Sequence, residues 1–155
     1  MALSIGKKGR IVKYKSASRA ETRKIAMRIA SRYIGTRGGS AQVFGLIGDL
    51  GAGKTTFTQA FLRALGVRKK ITSPTFVLVK SYALKKGRTA YHVDAYRLHN
   101  TKELRTLGFK KIITDPNHVV LVEWADQVRR AMPKSTTWIT FEHLKGDTRS
   151  IIMKN

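Results

Sequence analysis

The chain has 155 residues and a mass of 17.4 kDa, a length that suits one domain and excludes two complete enzyme domains. Hydrophobic residues make up 42% and charged residues 26%, the balance of a globular chain rather than a disordered one. Lys and Arg number 31 against 9 Asp and Glu, giving a formal net charge of +22, and the absence of cysteine excludes disulfides, thiolate metal sites and cysteine nucleophiles.

Residues 1–17 read as a basic, loosely ordered N-terminal segment, with 5 basic residues between Lys7 and Lys15 and no apolar stretch of signal-peptide length. No run of ~18 apolar residues occurs anywhere, so the chain is expected to be soluble and cytoplasmic. Residues 18–155 then form a single domain, since no repeat or linker divides them. Ser18 with Glu21 makes a capping-box pair, and Ile25, Ile29, Tyr33 and Ile34 recur at helical spacing, which predicts a helix from Ser18 to Ile34. Gly35, Gly38 and Gly39 break it, and the apolar run from Val43 to Ile47 reads as a buried strand. From Lys54 to Leu65 the positions Phe57, Ala60, Phe61, Ala64 and Leu65 follow a helical stripe, with Gly66 as C-terminal cap.

Beyond that helix the apolar runs are short: Phe76 to Val79, Tyr91 to Val93, Val119 to Val122, Trp138 to Phe141 and Ile151 to Met153. The turn-like Lys85-Lys86-Gly87-Arg88 joins the first two as an antiparallel hairpin, while Thr101 to Leu107 and Ala125 to Met132 read as short helices. Strands alternating with helices, plus one hairpin, predict an α/β fold with a mixed sheet.

Gly48-Asp49-Leu50-Gly51-Ala52-Gly53-Lys54-Thr55 fits G-x-x-x-x-G-K-[ST] and lies between a predicted strand and a predicted helix. The chemistry requires this pattern. Glycines let backbone N–H groups close on phosphate oxygens, the helix contributes its positive N-terminal end, the lysine bridges the terminal phosphates, and the threonine hydroxyl ligates magnesium. A magnesium site also needs a carboxylate at the end of a neighbouring strand, and Glu123 closes the run Val119-Val120-Leu121-Val122. Asp94, after Tyr91-His92-Val93, is the second strand-terminal acid, a candidate either to orient a water or to hold a metal-bound water. No N-K-x-D run follows a strand, which favours ATP over GTP. On these residues alone a small-molecule P-loop kinase and a basic RNA-binding module with a secondary nucleotide site stay open beside an ATPase.

Several linked motifs then occur in order: the phosphate loop through Thr56, Ser73-Pro74-Thr75-Phe76, His92-Val93-Asp94-Ala95-Tyr96-Arg97-Leu98, Glu103-Leu104 with Leu107-Gly108, Val122-Glu123-Trp124, and Gly146 with Arg149. Together they resemble the bacterial TsaE (YjeE-type) ATPases that support threonylcarbamoyladenosine modification of transfer RNA. The resemblance implies a P-loop NTPase three-layer sandwich with a mixed, largely parallel central sheet, use of ATP and Mg, slow intrinsic hydrolysis, and action with the TsaB and TsaD proteins. It implies catalytic roles for Lys54, Asp94 and Glu123, and magnesium ligation by Thr55 and Glu123. Nucleotide contacts fall on Asp49, Leu50, Gly51, Ala52, Gly53, Lys54, Thr55, Thr56 and Trp124. Ser73, Pro74 and Thr75 with His92, Asp94 and Arg97 fall on two phosphate-sensing switch segments, and Arg97 and Arg149 are the arginines placed to assist. The basic stretches Lys7 to Lys15, Arg68 to Lys70, Lys85 to Arg88, Lys110-Lys111 and Arg129-Arg130 read either as a surface for transfer-RNA phosphates or as composition alone.

Overall fold

The apolar runs become the strands of one seven-stranded sheet in the computed structural model, which describes residues 9–74 and 78–155. In chain order these are β1 (Ile11–Ser16), β2 (Gln42–Ile47), β3 (Val79–Ala83), β4 (Thr89–Asp94), β5 (His118–Glu123), β6 (Thr137–His143) and β7 (Arg149–Lys154). In space the order is β1-β7-β6-β2-β5-β4-β3. The four central strands β6, β2, β5 and β4 are parallel; β3 pairs antiparallel with β4, β7 with β6, and β1 with β7. The sheet is therefore mixed, as expected, but parallel only in its centre. Tight hairpins at both sides reverse the chain, and β1 closes antiparallel on β7.

Helices α1 (Arg19–Ser31) and α2 (Lys54–Ala64) cover one face, where Ile29, Phe57, Phe61 and Leu62 pack on Phe44, Ile139 and Phe141 of the sheet. On the other face α3 (Thr101–Thr106), α4 (Phe109–Thr114) and the 3-10 segment Ala125–Ala131 set Leu104, Phe109 and Val128 against Val93, Val120 and Val122. Apolar side chains on both faces of the central strands make three layers. Among the described residues no helix is long and apolar enough to cross a membrane.

The start of α1 and the end of α2 form by local rules. Ser18 caps α1, its Oγ accepting from the Glu21 N–H at 3.2 Å, while the Glu21 carboxylate accepts from the Ala17 N–H at 2.6 Å. At the end of α2, Gly66 has φ +101, its N–H reaches the Arg63 carbonyl and the Val67 N–H reaches the Leu62 carbonyl, a Schellman motif.

Elsewhere the structure departs from the expectations. The basic segment 1–17 is not a loose arm throughout, because Ile11–Ser16 is an edge strand in register with β7, burying Val12 and Ser16. The first helix ends at Ser31 rather than Ile34, while the short helix expected from Ala125 to Met132 forms as a kinked 3-10 segment over Ala125–Ala131, with Val128 at φ −119. Helix α4 was not expected. The hairpin strand begins at Val79; Phe76 and Val77 lie outside the described residues.

Candidate nucleotide site

β2 delivers the chain to the phosphate loop, and α2 leaves it. Gly48 sits at φ +154, where a Cβ would lie only 2.7 Å from the Phe141 carbonyl oxygen, so only glycine lets the loop pass this close to β6. Gly53 caps α2 at φ +106 without a side-chain cap, and the first turn of α2 carries no acid. Its N–H groups and positive end therefore have no internal anion. Lys54, only 5% exposed, folds its ammonium onto the carbonyls of Gly48 and Asp49, the latter at 2.8 Å, and lies 3.9 Å above the centre of the Trp124 ring. Burial pushes its pKa below the ordinary 10.5, against the opposing pull of Glu123, Asp126, Asp49 and Asp94.

Parallel register brings the acids to the same end of the sheet. Glu123 of β5 stands beside Leu46 of β2 and Asp94 of β4. Its buried carboxylate accepts from Thr55 Oγ1 at 2.9 Å through one oxygen and contacts His92 Nε2 at 2.8 Å through the other. His92 is fully buried within β4 and its Nδ1 has no hydrogen-bond partner among the described residues. The imidazole thus stands behind the acid, not in a loop, and holds it toward α2. Asp94 accepts from the Tyr96 N–H at 3.0 Å, and the Ala95 N–H donates to the Glu123 carbonyl at 3.0 Å. Trp124 follows at φ +57, with its ring 4.9 Å from that of Tyr96.

A cleft of ≈ 290 Å³ lies over these groups. Leu50, Gly51, Gly53, Lys54, Thr55, Thr56, Glu123 and Trp124 line it, so most of the expected contacts converge. Asp49 and Ala52 do not line it: Asp49 turns its carbonyl to Lys54 and the Ala52 N–H, and Ala52 is buried beneath the loop. Asp94 and His92 sit in the strand ends behind the lining, Arg97 is exposed, and Pro74 is buried, its carbonyl accepting from the Leu78 N–H at 2.8 Å. Ser73 is half-buried just before it; Thr75 lies outside the described residues. Arg149 joins the cleft from β7, where a side chain on Gly53 would come within 2.8 Å of its guanidinium.

Arg19, His143 and Asp147 also line the cleft and were not anticipated. The first begins α1 and the others flank the β6–β7 turn, so only the pairing of β1, β7 and β6 brings them here. No group of three or more His, Asp or Glu side chains gathers into a metal cage among the described residues. One hydroxyl and one carboxylate beside a phosphate loop instead suit magnesium, which takes few protein ligands and completes its shell with phosphate and water.

Comparison with known proteins places this geometry in context. The family model described as threonylcarbamoyl adenosine biosynthesis protein TsaE matches residues 16–151. Over 106 residues the chain is 34% identical to the tRNA threonylcarbamoyladenosine biosynthesis protein TsaE of Haemophilus influenzae, covering 68% of this chain and 65% of that protein. The Bacillus subtilis protein of the same name is 38% identical over 110 residues, covering 70% and 66%. The matches thus span just under two thirds of these two relatives. The crystal structure of Bacillus subtilis YdiB superposes with a TM-score of 0.76 at 29% identity, covering 96% of this chain and 88% of that one.

Proposed function

The chain belongs to the TsaE family, and from that premise we propose that it is a magnesium-dependent ATP-binding protein and weak ATPase that serves threonylcarbamoyladenosine modification of transfer RNA together with TsaB and TsaD. The observation that carries the reading is the hydrogen bond from Thr55 to Glu123 beside Lys54 at the mouth of the phosphate loop. It unites phosphate-binding and metal-binding groups from α2 and β5 in one cleft. We take strand β1 together with residues 18–155 as one ATPase domain.

In this reading Lys54 leaves the carbonyls of Gly48 and Asp49 for the terminal phosphates, and the N–H groups at the start of α2 receive the remaining oxygens. Thr55 and Glu123 would hold magnesium, which neutralises polyphosphate charge when bound. His92 keeps the Glu123 carboxylate aimed, and Asp94 orients the attacking water. Trp124 offers its ring to the nucleotide. Ser73, Pro74 and Thr75, with His92, Asp94 and Arg97, are taken as the segments that respond to the terminal phosphate. Arg149 braces Gly53.

A partner supplies what this arrangement lacks. In the isolated chain the Asp94 carboxylate is engaged by the Tyr96 N–H, so hydrolysis is slow until the loop after β4 rearranges. Leu50, 83% exposed, and Tyr96, 51% exposed, give the TsaB and TsaD assembly an apolar hold beside the cleft.

ATP turnover by the pure chain, with and without TsaB and TsaD, tests the reading. Slow turnover alone, stimulation by the partners and loss of nucleotide binding in Lys54→Ala are expected. Unchanged ATP affinity in Lys54→Ala by calorimetry, or transfer of phosphate to a small acceptor, would overturn it.

A further inference from the structure

At the opposite end of the sheet from the phosphate loop, a cavity of ≈ 510 Å³ opens between loop 35–40 and the starts of β2 and β6. Arg37, Gly38, Gly39, Ser40 and Gln42 are in its wall. The N–H groups of Gly38, Gly39 and Ser40 make no backbone hydrogen bond among the described residues. Behind Gln42 lies Arg88, immediately before β4 and only 8% exposed. One of its terminal nitrogens donates to Gln42 Oε1 at 3.1 Å, while its Nε has no partner among the described residues. Gln42 is held in turn through its amide nitrogen, which donates to the Thr36 carbonyl at 3.1 Å. Arg37 donates to the Lys86 carbonyl at 3.2 Å, which draws loop 35–40 to the turn preceding Arg88.

Neither Arg37 nor Arg88 is paired with a carboxylate among the described residues. Burial and the neighbouring charge of Arg37 both press the Arg88 guanidinium below its ordinary pKa. A buried cation beside a like charge is costly unless an anion compensates both, and the described residues supply none here. The acid nearest in sequence to the β5 start, Asp115, is already occupied by the Asn117 N–H and His118. Further exposed cations stand on separate segments: Arg32 in the cavity wall, Lys86, whose carbonyl accepts from Arg37, and Lys134, next in sequence to Ser135 of the wall.

We propose that this cavity, with Arg37 in its wall and Arg88 behind Gln42, is a second phosphate site that takes the backbone phosphodiesters of a nucleic-acid strand. Guanidinium forks and free backbone N–H groups match phosphate oxygens, and cations on successive segments match a ligand whose charge repeats. A chain of net charge +22 brings such a polyanion to this surface. The inference extends the proposed function and rests on it for the choice of transfer RNA as the strand.

The test measures binding of unmodified transfer RNA to the full chain by fluorescence anisotropy across a salt series. Arg37→Glu, an exposed change, is expected to weaken binding by at least about tenfold. It should also flatten the slope of log K against log salt by roughly 0.7 to 0.9 for each phosphate no longer neutralised. Arg88→Gln should weaken binding in the same direction, with thermal melts confirming its fold. Lys54→Ala should leave RNA binding intact, and Arg37→Glu should leave ATP turnover and its stimulation by TsaB and TsaD intact, so failure here and failure of the ATPase reading are separable. Wild-type RNA affinity in Arg37→Glu would overturn the proposal, as would loss of RNA binding in Lys54→Ala. A poly-glutamate peptide competing as well as RNA at equal charge would assign the surface to an acidic protein instead. Inorganic phosphate competing as well as RNA at equal phosphate concentration would reduce it to a site for the free ion.

Discussion

Lys54 is the residue on which charge, burial and ligand meet. Its proton is held less tightly than that of an ordinary lysine because the loop removes it from water. A polyphosphate bound beside it would hold that proton in place. Binding therefore takes up a proton between the free and the bound pKa, and ATP affinity is expected to fall as pH rises through that interval, beginning below 10.5. Calorimetry in buffers of different ionisation enthalpy reads this directly; affinity that stays flat up to pH 10.5 contradicts it. Glu123 poses a different question, since it touches both Thr55 and His92. Glu123→Gln keeps an acceptor for Thr55 but loses the charge, so turnover with partners should fall by ~10² or more with nucleotide affinity much less changed. Equal losses in affinity and turnover would make this acid a binding residue only.

Secondary-structure elements show where sequence carries its own instructions. The Ser18 cap of α1 is written locally, and Ser18→Ala should cost about 1 kcal/mol of stability by denaturant melt, because the Glu21 N–H loses its acceptor. A variant melting like the parent would show that packing, not the cap, fixes the helix start. The capping box, the Schellman glycine, the β3–β4 hairpin and the phosphate loop were all legible, because each is a pattern within about ten residues. Strand β1 was not. Its alternation, with Val12 and Ser16 inward and Ile11, Lys13 and Lys15 outward, is that of an edge strand, but three cations in and beside it also describe a solvated tail. The pairing with β7 that decides the matter spans most of the chain. Helix α4 was missed for another reason: its N-cap is Gly108, φ +72, which has no side chain to cap it, and it buries only Phe109. The site divides in the same way. Residues inside motifs were found, while Arg19, His143 and Asp147 reach the cleft through sheet order, which no spacing encodes.

At the scale of the whole molecule, the charge is poorly compensated. The ion pairs among the described residues involve histidines, His92 with Glu123 and His118 with Asp115. A chain at +22 therefore repels itself, and added salt should screen that repulsion. The melting temperature is expected to rise from low salt to about 0.15 M, over which the screening length shortens to ~8 Å. A fall in Tm across the same series, measured with a salt whose ions do not bind the phosphate loop, would mean that attractive pairs dominate instead. The topology also sets the cavity and the cleft at opposite ends of the sheet: β5 runs from His118, paired with Thr89 next to Arg88, to Glu123 in the lining of the cleft. On the proposals made above, a strand of RNA at one end would leave the other open to ATP.

The placement of Lys54 over Trp124 gives the protein an optical voice of its own. Of the 2 tryptophans, Trp138 is packed against Gly45 with the Arg129 guanidinium 4.4 Å from its ring centre, remote from any exchange at the cleft. Trp124 instead has the Lys54 ammonium 3.9 Å from its ring centre, and in the proposed reading that ammonium moves to the phosphates when nucleotide binds. With Trp138→Phe as background, indole emission is then expected to report nucleotide occupancy without a label, and the same signal in stopped flow would separate arrival of the nucleotide from the later step that the proposed partners are expected to accelerate.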